Sequence, residues 1–179
     1  MITRKDLETL YSAEVIVTLS PEESQKLRLL QDDSRFLAEI GLPRHAPPFF
    51  TTEVSGGPEF LLPIDIPTSS GGIHREVIIG GPPGDAKMRF SLDTDEGFVT
   101  LVQLAGKPRF EVANRNLAEF VEFIYLIDSH RRRASDHPDE AKDSLAELSL
   151  RLMSINSVVF EEPENWWSIA LGHLSAMEG

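Results

Sequence analysis

The stretch FEVANRNLAEFVEFIYLID, residues 110–128, constrains the fold of this chain more than any other. Its first residues alternate as a strand does, the remainder has a helical pattern, and the change falls at Asn114, Arg115 and Asn116. Asn116 stands where an N-cap is needed, with Glu119 three residues on, the Asn variant of a capping box. The helix beyond carries Leu117, Phe120, Val121, Phe123, Ile124, Leu126 and Ile127, too many apolar residues for one face. A helix that is apolar on more than one face must be covered on more than one side. This helix is therefore predicted to lie on a sheet, beneath later helices. Burying its large side chains contributes roughly 10 kcal/mol before conformational entropy is subtracted.

The rest of the chain supplies that sheet and those helices. A short helix is expected near Thr3–Tyr11 and a strand near Glu14–Leu19. SPEES then starts a helix, with Ser20 as cap, Pro21 at the first position and Glu23 completing a capping box. SRFLAEI forms another after Asp33, stopped at Gly41 and Pro43. From Pro47 to about Val112 the runs FFTTEV, FLLPI, EVIIG, MRFSLD, FVTLVQL and RFEVA read as strands. Turn signals SGGP, SSGG and GGPPGD fall between them. Residues 55–87 hold 12 of the 24 Gly and Pro residues, yet apolar runs continue through them, which predicts a meander with long loops and no linker. SLDTDEGFVTL reads as one tight hairpin turning at Gly97.

The helix after Asn116 should run to about Arg133, where RRR offsets the negative pole of its dipole. A further helix begins near DHPDEA, with Pro138 early, and shows a narrow apolar stripe of Ala141, Leu145, Leu148, Leu152 and Ile155. PENWWSIALGHLSAM closes the chain as a last helix. Strands in the middle with helices at both ends predict an α+β fold: a single domain over residues 1–179, with a central mixed or antiparallel sheet flanked by N- and C-terminal helices.

Composition excludes several functions. There is no cysteine, hence no disulfide framework, thiolate zinc site or cysteine nucleophile, which fits a reducing compartment. The N-terminus MITRKDLETL is charged where a secretory signal is apolar, and no uncharged run approaches the roughly 18 residues of a membrane span. A cytoplasmic location is expected. Seventeen basic against 29 acidic residues leave a net charge of −12, which repels nucleic acid and anionic membranes and attracts basic partners. The same charge also serves plain solubility.

No motif carries catalysis or a cofactor. His45, His74, His130, His137 and His173 show no zinc-helix spacing. GGPPGDAK lacks the ending of a phosphate loop and opens no helix. In DTDEG the glycine comes too early for a calcium loop, so a solvated hairpin turn is the better account. Trp166 and Trp167 are adjacent in one helix and cannot face the same way. One is expected in the core and the other half exposed, either capping a helix groove or anchoring a partner.

Taken in order, RFLAEIGLP, IIGG, FSLDTDEGFVTLV, FEVANRNLAEFVEFI and ENWWSIALGHL resemble the SUKH superfamily, most closely its fourth subfamily of immunity proteins. Members show a GLP after a short helix, here Gly41, Leu42 and Pro43. They also show an Asn-containing cap before a helix with a Phe, here Asn114 or Asn116 with Phe120, and an aromatic last helix, here Trp166 or Trp167. Where members carry serine or another small residue, this chain has Arg115. The resemblance implies an α+β protein used for binding, encoded beside polymorphic toxins of bacteria, that binds the toxin domain and protects the producing cell. Many such toxins are nucleases or nucleotide-modifying enzymes, and nucleases are often basic, which gives the negative charge a specific use. Two other readings compete with it: a regulatory or scaffold protein of the same fold with a housekeeping partner, and an enzyme assembled from scattered acids such as Asp65, Asp93 and Asp95.

The acidic residues fall in three clusters. Asp136, Asp139 and Glu140 sit at a helix start, where the dipole accounts for them. Asp93, Asp95 and Glu96 lie in the hairpin turn and are expected to project into solvent as contacts for a toxin domain. Glu161, Glu162 and Glu164, ahead of the last helix, are the second choice. No catalytic residue, cofactor, metal, nucleic acid or membrane is expected, and oligomeric state is left open. A chelator is accordingly expected to leave the thermal unfolding midpoint unchanged; a clear drop in midpoint would reveal a structural metal.

Overall fold

A computed structural model describes residues 2–67, 71–104, 109–137, 139 and 141–178. Ser69, Ser70, Pro138 and Glu140, used above to place turns and a helix start, lie outside them. The centre is a five-stranded sheet of β5 (Pro63–Pro67), β6 (Ile73–Gly80), β7 (Met88–Asp93), β8 (Val99–Gln103) and β9 (Arg109–Asn114), in chain order. Every pairing is antiparallel. The sheet is thus a plain meander, the simplest outcome for short strands separated by Gly- and Pro-rich turns. Earlier in the chain come two short pairs, β1 (Ile16–Val17) with β2 (Leu42–Pro43), and β3 (His45–Ala46) with β4 (Phe50–Thr51). The expected Glu14–Leu19 strand is therefore two residues of β1 after one turn of 3-10 helix at Ala13–Val15.

The helices start where their caps are. Thr3 and Asp6 form a capping box for α1 (Arg4–Leu10), and Ser20 and Glu23 form the predicted one for α2 (Pro21–Lys26). Helix α3 spans Gln31–Glu39, beginning ahead of the expected boundary at Asp33. Gly41 follows it at φ +89°, and a Cβ there would stand 2.6 Å from the Val17 carbonyl oxygen, so glycine is required twice over. Three helices follow the sheet: α4 (Leu117–Asp136), α5 (Ala141–Ile155) and α6 (Trp166–Glu178).

The two faces of the sheet differ in chemistry. Phe90, Leu92, Val99, Leu101 and Ala113 alternate onto one face and enter the main apolar cluster with α4. Phe120 of α4 is fully buried there, its ring 4.9 Å from Phe90, 5.5 Å from Phe50 and 6.1 Å from Trp167 between centroids. The crowded helix is thus covered on one side by the sheet and on the other by α5 and α6, as its composition demands. On α5, Leu148 and Leu152 are buried and Leu145 and Ile155 half-buried, four of the five residues of the predicted stripe; the side chain of the fifth, Ala141, lies outside those described.

The opposite face carries Glu76, Ile78, Arg89, Ser91 and Thr100, all of them buried. Arg89 is fully enclosed and answers its buried charge with main-chain acceptors. Nη2 donates to the carbonyls of Ser55 (2.7 Å) and Gly56 (2.9 Å), Nε to Pro58 (3.0 Å), and Nη1 to Met88 (2.7 Å) and Asp85 (3.1 Å). This guanidinium pins the glycine-rich loop to the sheet, which explains why that loop needs no apolar side chains of its own.

Phe120→Ala is expected to destabilise the fold by about 3–5 kcal/mol in denaturant unfolding. Near-wild-type unfolding would show that α4 is not the core helix.

Candidate functional site

The hairpin turn between β7 and β8 gathers more charge than its own residues. Asp93 is only 5% exposed, and its Oδ1 accepts the amides of Asp95 (2.7 Å) and Glu96 (2.8 Å), closing the turn from within. This corrects the expectation that all three acids project into solvent. Asp95 and Glu96 do; Asp93 builds the turn.

His74, across the β6–β7 pair, sits among these acids. Its Nε2 is 3.0 Å from Asp93 and 3.5 Å from Glu76, and its Nδ1 is 3.5 Å from Asp95. Glu76 in turn accepts hydrogen bonds from Ser91 and from Thr100 at 2.6 Å. His74, Asp93 and Asp95 offer ligand atoms within 4.8 Å of one another, a grouping that sequence spacing does not reveal because strand pairing creates it. The two ring nitrogens face different carboxylates, so one imidazole bridges Asp93 and Asp95 with Glu76 close by. Asp65, by contrast, is held by Arg75 through bonds of 2.8 and 3.2 Å. Arg75 and Glu76 are successive strand residues, so Asp65 and Asp93 lie against opposite faces of the sheet and do not converge as an enzyme built on them requires.

Helix α3 adds a further carboxylate that sequence reading missed. Asp33 is buried, and its Oδ2 lies 3.5 Å from where a Cβ on Gly97 would stand. Burial pushes its carboxyl up to about 7, with nearby Asp32 and then Asp93 adding to the effect. Its only sequence signal was a position in the first turn of α3, where an acid is ordinary.

The second acidic cluster lies at the start of α6. Glu161, Glu162 and Glu164 are all exposed. The tryptophans that follow divide as predicted. Trp167 is buried, its Nε1 donating to the Ala113 carbonyl (3.1 Å) and to Asn114 Oδ1 (3.0 Å). Trp166 is half-buried, edge-on to Phe90 at 5.6 Å and to Phe49 at 6.3 Å, and its main-chain amide donates to Glu111 Oε1 at 2.6 Å. It stands between two cavities of about 250 Å³ each, one reaching Met88, Leu101 and Glu164, the other Pro48, Phe49 and Met177. The structure thus brings Glu164 together with Trp166 but leaves Asp95 and Glu96 at the far end of the β7–β8 pair.

No helix of the described residues is long and apolar enough to cross a membrane. The chain matches the model of a family of immunity proteins, which act against toxins. It belongs to the SUKH-4 immunity protein family, whose model matches residues 2–173. No curated protein and no solved structure matches it.

The raised Asp33 carboxyl has a measurable sign. Folded Asp33 holds its proton up to about pH 7, whereas the unfolded chain releases it near the ordinary value of 3.8. Stability contributed by that proton is full below the unfolded value and is lost as pH rises toward 7. Asp33→Asn is expected to be more stable than the wild type at pH 8, by about 2–4 kcal/mol, with the difference vanishing near pH 4. Parallel stability curves for the two proteins across that range would refute the assignment.

Proposed function

We propose that this protein binds and neutralises a cognate toxin domain of a bacterial polymorphic toxin system, acting in the cytoplasm with no catalysis of its own. Membership of the SUKH-4 immunity protein family over nearly the whole chain is the observation that carries this reading. The toxin is of the basic, nuclease type. Support for that comes from the net charge of −12 and from exposed acids in two turns, one between β7 and β8 and one ahead of α6.

Physically, neutralisation by such a protein is competition. A nuclease holds its substrate through basic groups, and an acidic protein docked over them excludes the nucleic acid and screens the site. Asp95, Glu96, Glu161, Glu162 and Glu164 are exposed and add to the steering field. Asp93, closed into its turn, contributes through its field alone. Long-range attraction of this kind raises the association rate more than it lowers the dissociation rate, and salt weakens it.

The purified protein is expected to form a complex with the toxin domain encoded beside it and to protect cells that express that domain. Replacing Asp95 and Glu96 by Asn and Gln should leave folding within about 0.5 kcal/mol. The same replacement should slow association and flatten its salt dependence in stopped-flow mixing. Failure of the two proteins to associate, together with equal survival of cells lacking this protein, would rule the reading out.

A further inference from the structure

Steering charges bring partners together, but a lasting complex needs an anchor. Binding energy concentrates in a few apolar or aromatic contacts seated in pockets, while rim charges contribute little. The hairpin end is a poor seat. Its turn is closed by Asp93, Asp95 lies against His74, and the neighbouring cavity is lined by Arg28, Asp65, Arg75, Thr94 and Asp95, with Ile73 the one apolar side chain among them.

The end near α6 offers a better one. We propose that the groove around Trp166 and Ile169 is the seat for a segment of the toxin that inserts apolar side chains and carries basic residues beside them. This rests on the toxin-binding reading and names the surface that performs it.

Five observations converge there. The two cavities share Trp166, Ile169 and His173 as lining, so they lie side by side along α6 with these side chains between them. Each holds about 250 Å³. That is below the roughly 300–1,000 Å³ of a small-molecule site and suits an inserted side chain. Ile169 is 40% and Met177 68% exposed, so apolar surface lies open to water where a partner's apolar group would cover it. The walls are preorganised, since Met88 and Leu101 belong to central strands and Trp166 is braced by Phe49, Phe90 and Glu111. Finally, Glu161 and Glu162 are exposed in the turn that leads directly into Trp166. Carboxylates beside an apolar groove select a partner whose apolar side chains are flanked by Lys or Arg.

Trp166 has a further property that fits a surface role. Its Nε1–H is buried without an acceptor, a cost that a Phe at the same place does not carry. The ring's value therefore lies in its shape and area at the groove. It also provides the readout, because Trp167, the other tryptophan, is enclosed with its Nε1–H already bonded.

The test uses the full chain and the toxin domain encoded beside it, with circular dichroism melts to establish that each variant folds. Ile169→Glu and Met177→Glu alter exposed positions and should each weaken the complex, Ile169→Glu by about tenfold or more, mainly through faster dissociation. Glu161→Lys with Glu162→Lys should weaken it as well. Titration with the toxin domain should change tryptophan emission in the wild type, and Trp166→Phe should abolish that change. Wild-type binding with unchanged dissociation constants in the apolar variants would overturn the groove and leave the immunity reading standing. Loss of self-association without loss of toxin binding would assign the groove to a second copy of this chain and overturn the proposal. Absence of wild-type binding overturns both.

Discussion

The turn from β9 into α4 hangs on one carboxylate. Glu119 is 6% exposed, and its Oε1 accepts from Asn114 Nδ2 at 3.1 Å, from the Arg115 amide at 3.3 Å and from Asn156 Nδ2 at 2.7 Å. Its Oε2 takes Arg115 Nε at 2.9 Å. The end of the sheet, the start of α4 and the residue after α5 therefore meet at a single charged group. Asn114 extends the node to α6 by accepting from Trp167. Without that carboxylate the buried amides of Asn114 and Asn156 lose an acceptor, at about 1–3 kcal/mol for each group left unsatisfied. The position of Phe120 on the sheet, of Trp167 against Phe120, and so of Trp166 at the groove, follows from this node.

Acids and bases inside this protein are managed in distinct ways. Asp128 is 1% exposed and is held by Arg131 and Arg132 at 2.8 and 3.1 Å. Arg132 also donates to the Leu10 carbonyl and lies 5.4 Å from the centre of the Tyr11 ring, fastening α1 to the end of α4. Arg89 is satisfied by carbonyls, Glu76 by hydroxyls and His74, and Asp93 by the turn it forms. These groups are structural. Among the acids that stay exposed, Asp95, Glu96, Glu161 and Glu162 lie in turns.

Much of the fold could be read from residues 110–128 because local and tertiary demands agree there. A strand pattern, an Asn cap and a helix with no polar face admit few arrangements. The cap itself was half right: Asn116 Oδ1 accepts the Glu119 amide at 2.9 Å, but the Glu119 side chain turns to Asn114, Arg115 and Asn156. Nothing local announces Asn156 as a partner, since it lies on another element. The acids of the hairpin were misjudged for a similar reason. A run of Asp, Thr, Asp and Glu looks uniformly solvated in sequence, yet the first residue of such a turn is the one whose carboxylate can reach the amides ahead of it. Asp33 and His74 were illegible as members of that cluster, because pairing of β6 with β7 and the approach of α3 bring them in. The division of labour between Trp166 and Trp167 was legible, since helical geometry forbids two neighbours from facing one way.

On the proposed reading, the end of the molecule near α6 is where a toxin is held. Hydrogen exchange of the protein, free and in complex with the toxin domain encoded beside it, tests this directly. Slowed exchange is expected in the turn of residues 161–165 and through the first two turns of α6, with exchange unchanged in α1 and in the loop of residues 55–58. Protection confined to α1, to that loop or to the β5–β6 edge, with α6 exchanging as in the free protein, would contradict it.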